Sequence, residues 1–226
     1  WQWIAGWLAL VLLVVGTVWG LAIAPVDYQQ GHSYRIIYLH VPVSFLAQAL
    51  YLAMAISAVV LLVWRMKLAD VAMQSLAQVG LAFCVLALVS GAIWGKPTWG
   101  TYWVWDARLT SMLILAFLYL GLIGLRSAMV DPETAGRACA ILVLVGAINL
   151  PIIKYSVDWW NTLHQPASLK LTEKPAMPAS MWVPLLVNII AYYALATYLL
   201  FVSMRGLVLQ RERRAQWVRD LVQHHD

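Results

Sequence analysis

The chain has 226 residues, 63% of them hydrophobic and only 11% charged, with a formal net charge of +5 and a mean hydropathy of +0.76. That apolar excess excludes a soluble domain of this length and describes an integral membrane protein. The basic residues are scattered, which argues against nucleic acid as a partner; their one cluster, RERRAQWVR near the C-terminal end, reads as an anchor on anionic lipid.

A crossing needs about 20 mostly apolar residues, and six runs meet that length: about 3–24, 43–64, 71–94, 109–125, 139–157 and 181–204. The fold class is therefore all-α, a single six-span membrane domain with short connections. The first run is too long for a signal-peptide core and lacks a small-residue cleavage site, so it reads as a retained helix. Six spans put both termini on one side. That side carries Arg65, Lys67, Arg126, Arg137 and the tail arginines Arg205, Arg211, Arg213, Arg214 and Arg219, against Arg35, Lys96, Arg108, Lys170 and Lys174 on the other. The positive-inside rule then makes the termini and the tail 205–226 cytoplasmic.

In chain order, Gly16 and Gly20 form a small-x-x-x-small pair suited to close helix packing. The outward segment PVDYQQGHSYRIIYLHVP follows, where Pro25, Gly31 and Pro42 bracket a turn and Arg35 and His40 lead into the second run. A lone boundary histidine is more often a hydrogen-bonding residue than a ligand. Cys84 and Cys139 fall within apolar runs without a C-x-x-C, so they encode neither a redox pair nor covalent c-type haem attachment and read as small core residues.

The third run leads into WGKPTWGTYWVWDARLT, Trp94 to Thr110. Four tryptophans, Trp94, Trp99, Trp103 and Trp105, exceed what an interfacial belt requires. With Tyr102, Asp106 and Arg108 they predict a periplasmic aromatic platform with a charged edge, suited to a large planar acidic ligand. A helical platform would put Trp99, Tyr102, Trp103 and Asp106 on one face; Gly95, Pro97 and Gly100 favour a broken helix. Asp106 alone could be a helix cap, while Arg108 can snorkel, pair with Asp106 or bind a carboxylate. The fifth run is interrupted near its outward end by Asn149, Pro151 and Lys154, polar or helix-breaking groups tolerated at depth only against protein or water. SVDWWNTLHQP then brings Trp159 and Trp160 ahead of His164, and SLKLTEKPAMPAS reads as a flexible connection. Topology sets His40 and His164 on one outer face, either side of the platform. His32 shares that face in a more hydrophilic loop; His224 and His225 belong to the tail and cannot join it.

Two histidines, indoles and outward arginines are the parts of a haem site: iron takes axial imidazoles, the porphyrin faces accept aromatic packing, and propionates attract guanidinium. The platform stretch, joined in order by DYQQGHSYRIIYLHVP and NLPIIKYSVDWWNTLHQ, closely resembles the tryptophan-rich "WWD" signature of the haem-handling membrane proteins of cytochrome c maturation. The length and the six short-looped spans resemble the CcmC (haem exporter protein C) family within that group. The resemblance covers nearly the whole chain.

It implies non-covalent binding of haem b with His40 and His164 as axial ligands. Trp94, Trp99, Trp103, Trp105 and Asp106 of the WWD segment 94–110 would hold the haem, with Arg35 and Arg108 against its propionates. It further implies location in a bacterial inner membrane and transfer of haem to the periplasmic chaperone CcmE in system I cytochrome c biogenesis. The implied associates are the small protein CcmD and the ABC-type complex CcmA/CcmB. No enzyme is expected, since no G-x-x-x-x-G-K-[ST] or other catalytic motif is present. Two rivals remain. A bis-histidine b-type electron carrier would bury its ligands inside spans, where no histidine reads. A transmembrane haem transporter would need a polar path, but Asn149, Pro151 and Lys154 lie near the outer end only, with no acidic residue in mid-membrane.

Overall fold

The computed structural model describes residues 2–160, 162–164 and 174–223. Lys170, most of the connection after His164, His224 and His225 lie outside the described residues.

Runs of Leu, Ala, Val and Ile become helices here because a hydrocarbon surround offers the backbone no partner, so every N–H and C=O must pair within its own segment. The helices are α1 (Gln2–Val18), α2 (Ile37–Trp64), α3 (Lys67–Trp99), α4 (Ala107–Ala128), α5 (Pro132–Gly146), α6 (Asn149–Trp159), α7 (Ala179–Arg211) and the short α8 (Gln216–Gln223). A π-helical turn, Trp19–Ile23, continues α1, and a 3-10 turn, His32–Ile36, opens α2. Six segments are long and apolar enough to cross a membrane, with α5 and α6 together forming the fifth.

Two boundaries differ from the sequence reading, for the same reason. The second helix begins at Ile37 rather than near Val43, because Pro42 is carried inside it and fully buried; a membrane helix tolerates such an interior proline because neighbouring helices and local 3-10 adjustment satisfy the freed backbone. The third helix continues past Gly95 and through Pro97 as far as Trp99. It stops at Gly100, whose φ of 78° is the left-handed cap conformation. Gly95 serves close approach instead: an added Cβ would sit 3.1 Å from the Trp99 ring and from the Thr101 carbonyl.

The interruption of the fifth span does appear, at Ala147 and Ile148 between α5 and α6. Pro151 falls in the first turn of α6, where its missing N–H is not needed, and Asn149 donates to the Ser111 carbonyl at 2.8 Å.

At the centre, α2 packs against α3, α5 and α7, while α4 packs against α3, α5 and α6, and α1 leans on α7. Tyr51 and Tyr119 meet edge to face at 5.2 Å, and the Tyr119 hydroxyl donates to the Ala47 carbonyl at 2.8 Å. Cys84 and Cys139 are free thiols buried in this core. Gly16 faces Asn188, which donates to its carbonyl at 2.7 Å, and Gly20 faces the Tyr38 ring; both glycines serve packing within the chain.

The two ends of the bundle differ in chemistry. At the end that carries the tail, Asp70 of α3 is 5% exposed and accepts from Arg126 at 3.1 and 3.2 Å and from Arg211 at 3.2 Å. This ion network ties α3, α4 and α7 together. The other end carries the tryptophans.

Candidate functional site

Four elements meet at the tryptophan end. The last two turns of α3 present Trp94 and Trp99, and the irregular stretch 101–106 carries Trp103 and Trp105. The start of α4 supplies Asp106 and Arg108. His40 comes from α2, and His164 from the segment after α6.

Asp106 divides its two oxygens. Oδ1 caps α4, accepting the Leu109 N–H at 2.8 Å. Oδ2 accepts the Thr162 hydroxyl, and His164 Nδ1 lies 2.9 Å from it. Capping and site chemistry are therefore not alternatives. Burial alone would push the Asp106 carboxyl up, but the Thr162, Leu109 and His164 contacts outweigh it and hold the group below the usual carboxylate range. Burial also pushes His164 down, against the opposing pull of Asp106. At neutral pH the pair is thus a carboxylate facing a neutral imidazole. The Asp106 oxygen can only accept, so Nδ1 carries the proton and Nε2 keeps its lone pair.

His40 reaches the same tautomer by another route. Its Nδ1 lies 3.0 Å from Ser90 Oγ, and that hydroxyl already donates to the Leu86 carbonyl at 2.6 Å. Ser90 must then accept, so Nδ1 donates and Nε2 is left with only a 3.5 Å contact to Ser44 Oγ. Gly91 makes the space: an added Cβ would come within 2.9 Å of the His40 ring. The expectation that His40 precedes the second span is corrected, because it lies inside α2, beyond the 3-10 turn. It nevertheless stays near the tryptophan end, within electrostatic reach of His164 and Arg108.

The indoles stand beside these imidazoles. Trp94 meets His40 edge to face at 5.7 Å, and Trp99 meets His164 at 4.7 Å. Trp94 Nε1 donates to Gln30 Oε1 at 2.8 Å. Trp103 and Trp105 form a further edge pair at 5.4 Å. Trp105 is 75% exposed, whereas the buried Trp103 N–H has no hydrogen-bond partner among the described residues. Such an orphan donor calls for an acceptor that completes the site.

The arginines are differently placed. Arg35 donates to the Leu21 and Ala24 carbonyls at 3.0 and 2.7 Å, closing the end of the first span, while its buried Nε–H has no partner among the described residues. Among the described residues the hydrogen bonds of Arg108 are long, 3.4 Å to Ser156 Oγ and 3.3 Å to the Lys154 carbonyl. His32 is exposed at its turn.

The sequence reading missed Ser90, Gly91 and Thr162. Ser90 could have been found by helical spacing, since it sits one turn before Trp94; Thr162 is two residues before His164. Among the described residues no three metal-ligating side chains cluster. Two separate imidazoles, each oriented through Nδ1, suit a metal complex that brings its own equatorial donors.

The heme exporter protein C family model (CcmC) matches residues 1–219. The heme exporter protein C of Escherichia coli K12 is 50% identical over 224 residues, covering 97% of this chain and 90% of that protein. That of Haemophilus influenzae is 51% identical over 216 residues, covering 96% and 88%. A cytochrome c biosynthesis ccmC-like mitochondrial protein of Marchantia polymorpha is 40% identical over 203 residues, covering 90% and 85%.

Proposed function

Because this chain belongs to the heme exporter protein C family, we propose that it is a haem-handling membrane protein of cytochrome c biogenesis that binds haem without a covalent bond at the tryptophan end and hands it on. It works by binding and release rather than by catalysis. The observation that carries this reading is the matched pair of imidazoles, both with Nδ1 committed and with Nε2 meeting, among the described residues, at most the 3.5 Å contact of Ser44 Oγ to His40.

The cargo brings an iron with two open axial positions, an apolar macrocycle and two carboxylates. His40 and His164 supply the axial nitrogens. Ser90 orients the first and Asp106 with Thr162 the second. Trp94, Trp99 and Trp103 wall the porphyrin edge, with the Trp103 N–H as a spare donor. Arg108, loosely held, is the better placed of the two arginines for a propionate, and Arg35 can add its free Nε–H. Exposed Trp105, Trp159 and Trp160 leave an aromatic face for the receiver. In this reading the tryptophan end faces the periplasm of a bacterial inner membrane, the termini are cytoplasmic, and haem b passes to the chaperone CcmE with CcmD and CcmA/CcmB as associates. Hand-over is favoured over electron carriage because His164 lies outside the six membrane-spanning segments found among the described residues.

Absorption spectra of the purified protein test this directly. Wild type should show a bis-imidazole haem, and His40→Ala and His164→Ala should each lose one axial ligand and fail to load the purified chaperone. Unaltered spectra and transfer in both variants would overturn the assignment.

A further inference from the structure

Where the fifth span breaks, its two halves part company. α5 packs on both α2 and α4, whereas α6 keeps α4 and draws away from α2. Between α2 and α6 the divergence leaves a groove of about 330 Å³, lined by Gln48, Ala49 and Leu52 on one side and by Leu150, Lys154 and Tyr155 on the other. All of these belong to membrane-spanning segments. The lining is apolar except for Gln48 and Lys154.

Lys154 is out of place for a lipid-facing residue. It is five residues from the end of α6, about 8 Å along a helix axis, and exposed, so its stem can lie along the apolar groove while its ammonium reaches toward the helix end. Its ammonium rests 5.4 Å from the centre of the Tyr155 ring, and among the described residues no carboxylate lies within ion-pair distance of it.

The groove shares its two helices with the candidate haem site, although no site residue lines it. His40, Ser44 and Gln48 recur every four residues along one face of α2, and Gln48 Nε2 donates to the Ser44 carbonyl at 3.0 Å. Across the groove, the Lys154 carbonyl accepts from Arg108 at 3.3 Å. A cation on an apolar cleft, its backbone bonded to Arg108 of the candidate site, matches a flat apolar molecule with a carboxylate at its edge.

We infer that the α2/α6 groove is a lateral entry site through which haem passes from the membrane to His40 and His164, with Lys154 holding a propionate on the way. The inference rests on the haem-binding reading above and adds the route. Gln48 supplies a second polar contact, and Ala49 keeps the floor open. Arg108 is next in line, so the carboxylate passes from one cation to another without crossing bare hydrocarbon.

The test is the rate of loading. Protein reconstituted in phosphatidylcholine nanodiscs is mixed with phosphatidylcholine vesicles carrying haem, and the growth of the bis-imidazole spectrum is followed in stopped flow. Losing one charge-assisted contact on the way in should slow Lys154→Met about tenfold, while Lys154→Arg loads like wild type. Ala49→Phe should also be slow by filling the cleft, and every variant should reach the wild-type end-point spectrum. Haem dimethyl ester, which has no carboxylates, should load wild type slowly and Lys154→Met no more slowly.

Unchanged rates in both Lys154→Met and Ala49→Phe would overturn the route while leaving the haem site standing. Equal slowing of haem and its dimethyl ester by Lys154→Met would make Lys154 a structural residue, and an effect seen only with anionic phospholipid would assign it to lipid headgroups; either overturns the proposal. A wild-type protein that never develops the spectrum would overturn the haem-binding reading and the route together.

Discussion

Asp106 shows how one residue can serve a helix and a ligand without compromise, because its two oxygens face different partners. Asparagine separates the roles. In Asp106→Asn the remaining oxygen can still cap α4, so the melting midpoint in detergent should fall by no more than about 1 kcal/mol equivalent. The new amide, however, sets an N–H donor against His164 Nδ1–H. The imidazole must then turn or shift its proton to Nε2, which removes the lone pair a metal needs. The visible spectrum of Asp106→Asn should therefore resemble that of His164→Ala although the protein is folded; a wild-type spectrum would reduce Asp106 to a cap. The same geometry fixes a pH dependence. His164 is held below its ordinary 6.5, so the folded state disfavours its proton, and the stability it contributes is full above that value and lost as pH falls beneath it. Ligation runs in the same direction, since a proton and iron compete for Nε2. Asp106, held below 3.8, remains ionised through this window. Haem retention followed by absorbance should be flat above pH 6.5 and decline only below it; a decline that begins on the alkaline side would contradict the assignment.

At the scale of elements, the spans were legible because length and apolarity alone decide what can cross a bilayer. Their ends were not, because Pro42, Gly95 and Pro97 read locally as breakers while the fold uses them inside helices. The Asp70 network was invisible for a different reason. Its partners lie 56 and 141 positions away, and Arg126 and Arg211 read from the sequence only as topology-setting charges. Gly136 belongs to the same arrangement, for an added Cβ would come within 2.9 Å of Asp70 Oδ1. Removing the carboxylate leaves Arg126 facing Arg211 at the junction of α3, α4 and α7. Both guanidinia keep some exposure, 20% and 37%, so the loss is that of hydrogen bonds to a charged group, about 1.5–3 kcal/mol, and Asp70→Ala should lower the thermal midpoint. Asp70→Asn, which keeps an oxygen acceptor, should lose less. Thermal unfolding of the two variants in the same detergent checks this, and equal small losses would make the network a surface feature.

On the scale of the whole chain, the candidate site is legible in kind and only partly in place. The histidines and the platform stand out as rare residues in an apolar sequence, whereas Ser90 and Thr162, common residues, acquire a role only when α3 is brought beside α2 and the segment after α6 beside the start of α4. The site draws on α2, α3, the start of α4 and the segment behind α6 at once, so a ligand held there adds to the packing and the few hydrogen bonds that already join these elements. Binding to the folded state alone must then stabilise it, by about 2.7 kcal/mol when free ligand stands at 100 times its dissociation constant. Adding haem to the apo protein should raise its thermal midpoint, and His40→Ala should shrink that rise by weakening affinity. The Asp70 network occupies the opposite end, and distant perturbations without shared partners add. The haem-induced rise should accordingly survive in Asp70→Ala, starting from a lower midpoint. A rise abolished by Asp70→Ala would mean that the two ends are coupled through α3, the one helix that carries both Asp70 and the first two tryptophans of the platform.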